Sequence, residues 1–421
     1  MQLQNLPLIA GNLGRAAWNR VAKLQRRLMQ QWRRRVKGVR EVGKDVRATT
    51  RGGVVQGRDA GAHLYVGAVK TVRYWKRVQA QTVPRLTREV SVRRQLRRVA
   101  RGTGPIVVGP WLSEVGYEVL YWVPFLRWFC DRYGVDRERL VVVSRGGVAG
   151  WYRDVADRYV ELLDLFDPAT FAARNLERQR DGEQKQRGLA AFDTEILARV
   201  RSQPGLADAT VCHPSLMFRL LGQFWLGNES LHYVLEHTRF APVDPGPSLV
   251  LPPLPDRFVA MKFYTGVALP DTLEHRRRLR QLVASVAERI PVVALDTRLP
   301  FDEHQDYTFA DVPGVTSLTG LTPQNNLGMQ TAVVARADGY MGTCGGLAWL
   351  APFLGTSTLA VYADDAFLAP HLYAAQQAYR STHAARFVSM DLHGSEWLDA
   401  VAPNQARSAG QDRVGAWPFR P

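Results

Sequence analysis

From residue 104 onward, short and mostly apolar runs alternate with longer segments in which apolar residues recur every three or four positions. The short runs are typical of buried strands of a parallel sheet, and the longer spacing is typical of amphipathic helices. The pattern predicts strands at 105–109, 140–143, 258–263, 292–295, 339–341, 358–362 and 387–390, and a strand-to-helix unit at 209–227. It predicts helices at 117–134, 154–164, 172–205, 275–290 and 324–337. This alternation indicates an α/β protein whose parallel sheets are covered by helices.

A proline-rich stretch divides the alternation into two parts. Residues 241–257 hold six prolines in seventeen positions, a composition typical of a semi-rigid connector between domains. We therefore predict two Rossmann-like, doubly wound domains, 102–247 and 248–421, that face each other across a cleft. Ligands of such sheets bind at the carboxyl ends of the strands, so the loops after the strands hold the candidate site residues.

The first 101 residues differ from the rest of the chain in their charge. They hold 25 of the 55 Lys and Arg residues and 4 of the 39 Asp and Glu residues, so their net charge is +21 and that of the remainder is −5. Between residues 13 and 39 the apolar side chains form one helical stripe, which Arg and Lys residues flank. Because basic amphipathic helices bind anionic membranes, we predict a basic helical arm over 1–101 that binds a membrane surface through residues 13–40.

Two alternatives stay open for this arm. One is a poorly ordered, arginine-rich extension. The other is binding to nucleic acid, whose phosphates also attract Lys and Arg. Nucleic acid is the less favoured partner because no zinc-finger, RNA-recognition or helix-turn-helix pattern accompanies the charge.

The three cysteines and the apolar segments bear on the cellular compartment. Cys130, Cys212 and Cys344 are too far apart for a disulfide framework or a zinc site, so we predict no metal. The N-terminus lacks the pattern of a secretory signal, and no run of about 18 apolar residues predicts a transmembrane helix. We therefore predict a cytoplasmic protein that associates peripherally with the inner face of the cell membrane.

The stretch Gly342-Thr343-Cys344-Gly345-Gly346 follows a predicted strand and precedes a helix. It fits the nucleophile elbow of α/β hydrolases, with Cys344 as the nucleophile. It also fits a glycine turn that binds a phosphate, in which the glycines allow close approach, Thr343 offers a hydroxyl and Cys344 is merely small. An elbow this late in the chain would leave 104–240 without a role, and no HGG-type oxyanion loop precedes it. The phosphate turn is therefore the favoured interpretation.

Residues 338–362, DGYMGTCGGLAWLAPFLGTSTLAVY, resemble the nucleotide-sugar site of glycosyltransferases with two Rossmann-like domains, the GT-B type. The preceding LTPQNNLGMQTAVVARAD is similar to the corresponding segment of heptosyltransferase-like enzymes of bacterial polysaccharide biosynthesis. The resemblance implies transfer of a sugar from a nucleotide-sugar donor, held by the C-terminal domain without a tightly bound metal or cofactor. It implies a cell-envelope glycan or lipid-linked molecule as the acceptor.

Four polar residues outside the glycine turn are candidates for binding the donor. Lys262 ends the first strand of the second domain, where its ammonium would stabilise the leaving diphosphate, although a surface lysine is an equal alternative. Asp296, Asn325 and Asn326 lie on the same rim and are candidates for the ribose or the base. The two asparagines equally suit a helix cap.

The loop 109–118 after the first strand supplies the candidates for the acceptor side. A transferase that inverts the anomeric centre needs a general base, and we predict Glu114 for this role. Glu118 suits a helix cap better and is a candidate for acceptor binding, as are Trp111, by stacking on a sugar ring, and Arg145, by binding an anionic group. The rival hypothesis is a non-catalytic protein that binds a nucleotide or a glycan on the same scaffold.

Overall fold

A computed structural model describes residues 87–183, 185–246, 249–296 and 305–395. The predicted membrane-binding segment 13–40 lies outside the described residues, and its role stays a prediction. Of the predicted arm, 87–101 form helix α1. Both sheets belong to the compact unit that begins at residue 96. None of the described helices is long and apolar enough to cross a bilayer.

Lobe 1, residues 105–235, is built on four parallel strands in the order β3-β2-β1-β4. The central strands β1 and β2 are entirely buried, as expected of a parallel sheet covered on both faces. The strands are β1 (Ile106–Val108), β2 (Leu140–Ser144), β3 (Arg158–Glu161) and β4 (Thr210–Cys212).

Lobe 2, residues 258–395, is built on six parallel strands in the order β7-β6-β5-β8-β9-β10. Counted from the first strand of the lobe, this is the order 3-2-1-4-5-6 of the doubly wound dinucleotide-binding fold, with its switch point between β5 and β8. The strands are β5 (Val259–Lys262), β6 (Val292–Ala294), β7 (Val315–Ser317), β8 (Gly339–Thr343), β9 (Thr358–Tyr362) and β10 (Phe387–Asp391).

The described helices follow the strands as connections. Helix α2 runs from 115 to 133 and contains a π-helical turn, Glu118–Trp122, between Val115–Tyr117 and Val123–Tyr133. The others in lobe 1 are α3 (Leu162–Leu165), α4 (Pro168–Arg180), α5 (Ala191–Arg201), α6 (Ser215–Trp225) and α7 (Leu231–Leu235). Those in lobe 2 are α8 (Leu273–Ala287), α9 (Asn326–Arg336), α10 (Gly346–Leu350) and α11 (Ala369–Thr382).

The predicted α/β architecture with two parallel sheets is confirmed, and each predicted strand overlaps a strand of the structure. The helix predicted at 154–164 is wrong over its centre. Residues Arg158–Glu161 form β3 instead, because the tyrosine and valine of this run suit the register that pairs it with β2. The predicted domain boundary falls on residues 247 and 248, which lie outside the described ranges, so that boundary stays a prediction.

The two lobes contact each other directly. The amide of Gly328 in α9 donates to the carbonyl of Gly146 at 2.8 Å, and the indole of Trp151 donates to the hydroxyl of Thr331 at 3.1 Å. The amide of Val243, in the proline-rich stretch 241–257, donates to the carbonyl of Phe353 at 3.0 Å. The carboxyl ends of the two sheets therefore lie close enough to share one site.

Candidate active site

A cavity of about 760 Å³ lies between the carboxyl ends of the two sheets. Lobe 1 lines it with residues 114–117, Arg145 and Lys185, and lobe 2 lines it with the loops after β5, β8 and β9. The cavity includes the switch point of lobe 2, where ligands bind in doubly wound folds. Its volume falls within the range of roughly 300–1,000 Å³ that is usual for sites of small molecules.

Lys262 lies at the switch point and lines the cavity, as predicted from its place at the end of β5. Its ammonium donates to the carbonyl oxygen of Leu295 at 2.9 Å and to Oδ2 of Asp306 at 3.0 Å. Both side chains of this ion pair are largely buried, at 15% and 16% exposure. Asp306 also lines the cavity, so the site contains a carboxylate beside the Lys262 ammonium. Asp306 was not predicted from the sequence.

The glycine turn 342–346 lines the cavity from Thr343 onward. Gly342 is required by packing, because a Cβ atom there would collide with the carbonyl of Lys262 on the neighbouring strand. The Thr343 hydroxyl accepts from the amide of Tyr264 at 2.8 Å and donates to its carbonyl at 2.9 Å. Thr343 therefore holds the loop after β5, and binding of a phosphate by its hydroxyl stays a prediction.

Gly345 and Gly346 bring the backbone of this turn close to the cavity. A Cβ atom on Gly345 would collide with the phenol oxygen of Tyr264, and Gly346 has a φ of 26°, which disfavours other residues. The helix that follows, α10, has only five residues. Both glycines line the cavity, and their role toward a phosphate stays a prediction.

Cys344 is buried and follows β8 directly. Burial raises the pKa of its thiol to about 12, so the thiol is protonated at neutral pH. The thiolate is the nucleophilic form of cysteine, and among the described residues burial is the one influence on the pKa of this thiol, which it raises. The hydrolase alternative therefore lacks an activated nucleophile.

In the native protein we expect all three thiols to react slowly with Ellman's reagent. Burial raises the pKa of Cys130 and Cys344 to about 12 and that of Cys212 further still. All three should react at once in guanidinium chloride, which serves as the control. Rapid release of one equivalent from the native protein, absent in Cys344→Ser, would restore the hydrolase hypothesis.

The polar residues predicted for the ribose or base separate into two groups. Asn326 is buried, lines the cavity and donates from its amide to the carbonyl of Pro323 at 2.7 Å. Asn325 does not line the cavity, since its amide oxygen accepts from the Thr322 amide and closes the turn before α9. Asp296 is buried after β6, one strand away from the switch point, and does not line the cavity either. The donor-binding roles of Asn325 and Asp296 stay predictions.

Two residues predicted to bind the acceptor are in the core instead. Trp111 is fully buried between the rings of Trp122 and Phe218, whose centroids lie at 5.8 and 5.9 Å, so it does not stack on a sugar. Glu118 is also fully buried, and Ser144 donates to its carboxylate at 2.7 Å. Burial raises the pKa of Glu118 to about 7, the direction expected of a carboxyl removed from water.

Glu114 lines the cavity, and its carboxylate is about half exposed. The ammonium of Lys185 lies 2.6 Å from Oε1 of Glu114 and 3.7 Å from the ring centroid of Tyr117. Arg145 also lines the cavity, but its guanidinium donates to the carbonyls of Trp111 and Ser113. Arg145 thus fixes the loop that carries Glu114, and its predicted binding of an anionic acceptor group stays a prediction.

His371 of α11 completes the lobe 2 side of the cavity and was not predicted from the sequence. Its Nδ1 lies 2.8 Å from the hydroxyl of Tyr121, and its Nε2 lies 3.3 Å from that of Tyr117. Burial and the nearby Lys185 lower the pKa of His371 to about 4, so the imidazole is neutral at pH 7. Nothing in the local sequence distinguishes it from the other histidines, because tertiary packing alone brings it to the tyrosines.

No family model matches the chain, and no curated protein matches it in sequence. Among solved structures, the glycosyl transferase family 9 protein from Veillonella parvula DSM 2008 is 12% identical. The alignment covers 72% of this chain and 90% of the Veillonella chain, with a TM-score of 0.36. E. coli heptosyltransferase WaaC with ADP is 16% identical, over 63% of this chain and 89% of its own, with a TM-score of 0.32.

A third solved structure belongs to a different class of enzyme. UDP-GlcNAc 2-epimerase from Methanocaldococcus jannaschii is 9% identical, over 72% of this chain and 93% of its own, with a TM-score of 0.26. The first two are glycosyltransferases, the class that residues 338–362 resemble. These identities and TM-scores are too low to assign a function to this chain.

Proposed function

We propose that the protein is a glycosyltransferase that moves a sugar from a nucleotide-sugar donor to a hydroxyl of a glycan or lipid-linked acceptor. The observation that supports this most is the shared cavity. A cation at the switch point of lobe 2 lies on one side of it, and a half-exposed carboxylate from lobe 1 lies on the other. Inverting sugar transfer uses such a pair, one group for the leaving diphosphate and one for the acceptor proton.

The donor half of the proposal concerns lobe 2. Its strand order is that of dinucleotide-binding folds, which hold phosphates outside the carboxyl ends of the strands at the switch point. Lys262 and the backbone of Gly345 and Gly346 line the cavity there. A diphosphate in this position would compete with Asp306 for the ammonium of Lys262, so part of the binding energy would separate an existing ion pair.

The acceptor half of the proposal concerns Glu114. In an inverting reaction its carboxylate would take the proton of the acceptor hydroxyl as the oxygen attacks the anomeric carbon. The bond between that carbon and the diphosphate oxygen would break, and the diphosphate would leave with the electron pair beside Lys262. The ammonium of Lys185, 2.6 Å from Oε1 of Glu114, holds the carboxylate at the wall of the cavity.

A nucleotide panel tests this proposal and its main rival. We expect UDP, GDP, ADP or CMP, each at millimolar concentration, to raise the thermal unfolding temperature, because a ligand that binds only the folded state stabilises it. Slow release of the nucleotide from the matching nucleotide sugar would then support catalysis. Binding without any turnover would favour the non-catalytic nucleotide-binding protein. The absence of stabilisation by every nucleotide would overturn both.

The remaining parts of the proposal come from the sequence alone. Independence from metal ions and from a tightly bound cofactor, the inverting outcome, the cytoplasmic location and the contact of residues 13–40 with an anionic membrane stay predictions. Co-sedimentation with liposomes that contain anionic lipids, with and without residues 1–86, tests the membrane contact. Equal binding by the two forms would contradict it.

A further inference from the structure

We propose that Gln186 is a positioning residue that, with Arg178, holds the loop 110–114 and thereby fixes Glu114 in the cavity. We term residues 110–114 the base loop. The inference rests on the proposed function, in which Glu114 is the general base. It assigns a role to residues within the segment 172–205, for which the sequence predicted only a helix.

Gln186 binds the base loop as a neighbouring strand would. Its Nε2 donates to the carbonyl of Pro110 at 2.9 Å, and its Oε1 accepts from the amide of Leu112 at 2.9 Å. The guanidinium of Arg178 then donates to the carbonyl of Leu112 at 2.8 Å. Gln186 is 1% exposed and Arg178 is 4% exposed, so these bonds form away from water.

The other carbonyls of the base loop are also bonded. Arg145 donates to the carbonyls of Trp111 at 3.1 Å and Ser113 at 3.0 Å. The amide of Glu118 donates to the carbonyl of Glu114 at 3.2 Å. All five carbonyls from 110 to 114 therefore have a donor. A loop held at every carbonyl is pre-organised, which is what a base needs to stay at a fixed distance from its substrate.

Gln186 is itself anchored to the other strand end of lobe 1. Its Nε2 also donates to Oδ1 of Asp193 at 2.8 Å, and Nε2 of His213 lies 3.1 Å from the same oxygen. The Ser215 amide donates to Nδ1 of His213, which places the imidazole proton on Nε2, facing Asp193. Because His213 directly follows β4, this buried chain of bonds joins the carboxyl ends of β1 and β4.

The position of this network has a consequence for the division of roles between the lobes. The order β3-β2-β1-β4 places the switch point of lobe 1 between β1 and β4. The buried side chains of Gln186, Asp193 and His213 are bonded to one another at that end of the sheet. Lobe 1 therefore holds its own polar network where lobe 2 has an open cavity, and the nucleotide belongs to lobe 2.

The same segment also supplies a charge to the cavity. Lys185 precedes Gln186 directly, and its ammonium contacts both Glu114 and the ring of Tyr117. Gln186 thus holds the loop that carries Glu114, and the adjacent Lys185 supplies the positive charge that pairs with the Glu114 carboxylate. A displacement of this segment would move the carboxylate and the ammonium together.

The test replaces Gln186 by leucine, which keeps its approximate size and removes its hydrogen bonds. We expect amide hydrogen exchange of peptides that cover 110–114 to rise by about tenfold or more. Release of diphosphate from UDP-glucose, GDP-mannose or ADP-glucose should fall by roughly 10–100-fold, as for other residues that orient a catalytic group. The affinity for the nucleotide itself should stay within about twofold, because lobe 2 binds it.

The matched control is Gln223→Leu, which removes a glutamine side chain of lobe 1 that bonds to Asn228 and not to the base loop. It should change neither exchange at 110–114 nor turnover. If Gln186→Leu does not fold, Gln186→Glu keeps the acceptor for Leu112 but loses the donor to Pro110, and should show the same changes.

Unchanged exchange at 110–114 in a folded Gln186 variant would overturn the proposal. Raised exchange with unaltered turnover would overturn it as well, since the loop would then need no positioning. If the wild type binds no nucleotide, the proposed function fails, and the exchange measurement alone decides whether Gln186 holds the loop.

Discussion

Replacement of Glu114 by glutamine should lower kcat for sugar transfer by about 10²–10⁴-fold, the usual contribution of a general base. Glutamine keeps the size of the side chain but accepts no proton from the acceptor. The affinity for the nucleotide should be unaffected, because Glu114 belongs to lobe 1. Since the side chain is about half exposed, loss of its pair with Lys185 should change the free energy of unfolding by less than about 1 kcal/mol.

Glu118→Gln is the control for this experiment. Glu118 lies four residues later but is fully buried and does not line the cavity. Glutamine at this position still accepts from Ser144, and turnover should stay near that of the wild type. If Glu114→Gln kept full activity and a folded Glu118→Gln were inactive, Glu118 and not Glu114 would be the residue that the reaction needs.

Replacement of Lys262 by methionine should weaken nucleoside diphosphate binding by about 10–100-fold, the loss expected for one charge-assisted contact. It should also destabilise the fold by on the order of 3 kcal/mol, because Asp306 is left charged and largely buried. Calorimetric titration measures the first effect, and urea unfolding measures the second.

The double variant Lys262→Met with Asp306→Asn separates these two effects. Removal of the stranded carboxylate should restore most of the stability, whereas nucleotide binding should stay weak. Asp306→Asn alone should bind the diphosphate more tightly than the wild type, because the carboxylate that competes for the ammonium in the structure is then removed. Weaker binding by Asp306→Asn would show instead that Asp306 itself contacts the ligand.

The sequence predicted the two sheets because their central strands are buried on both faces and therefore appear as apolar runs. It missed β3 and β7, which lie at sheet edges and hold partly exposed residues, so their apolar runs are weak. Lys262 and residues 343–346 of the glycine turn line the cavity because they end or directly follow strands at the switch point. For such residues, position along the chain nearly fixes position in space.

The errors concern the direction in which side chains point. Trp111 and Glu118 belong to the same short region as Glu114, yet both face the core. A sequence shows which residues belong to a loop. The direction in which a loop side chain points depends on packing partners such as Phe218, about a hundred residues away from Trp111. The same holds for Lys185 and His371, which reach the cavity from segments without any motif.

The contacts between the lobes bear on how a substrate enters. One hydrogen bond joins the lobes through Gly146 and Gly328, and other elements join them through the contact of His371 with Tyr117 and Tyr121. Wide hinge opening would have to break both sets of contacts and expose buried aromatic rings. Ligands are therefore expected to pass through the existing mouth of the cavity, with loop movements in place of a large rotation between the lobes.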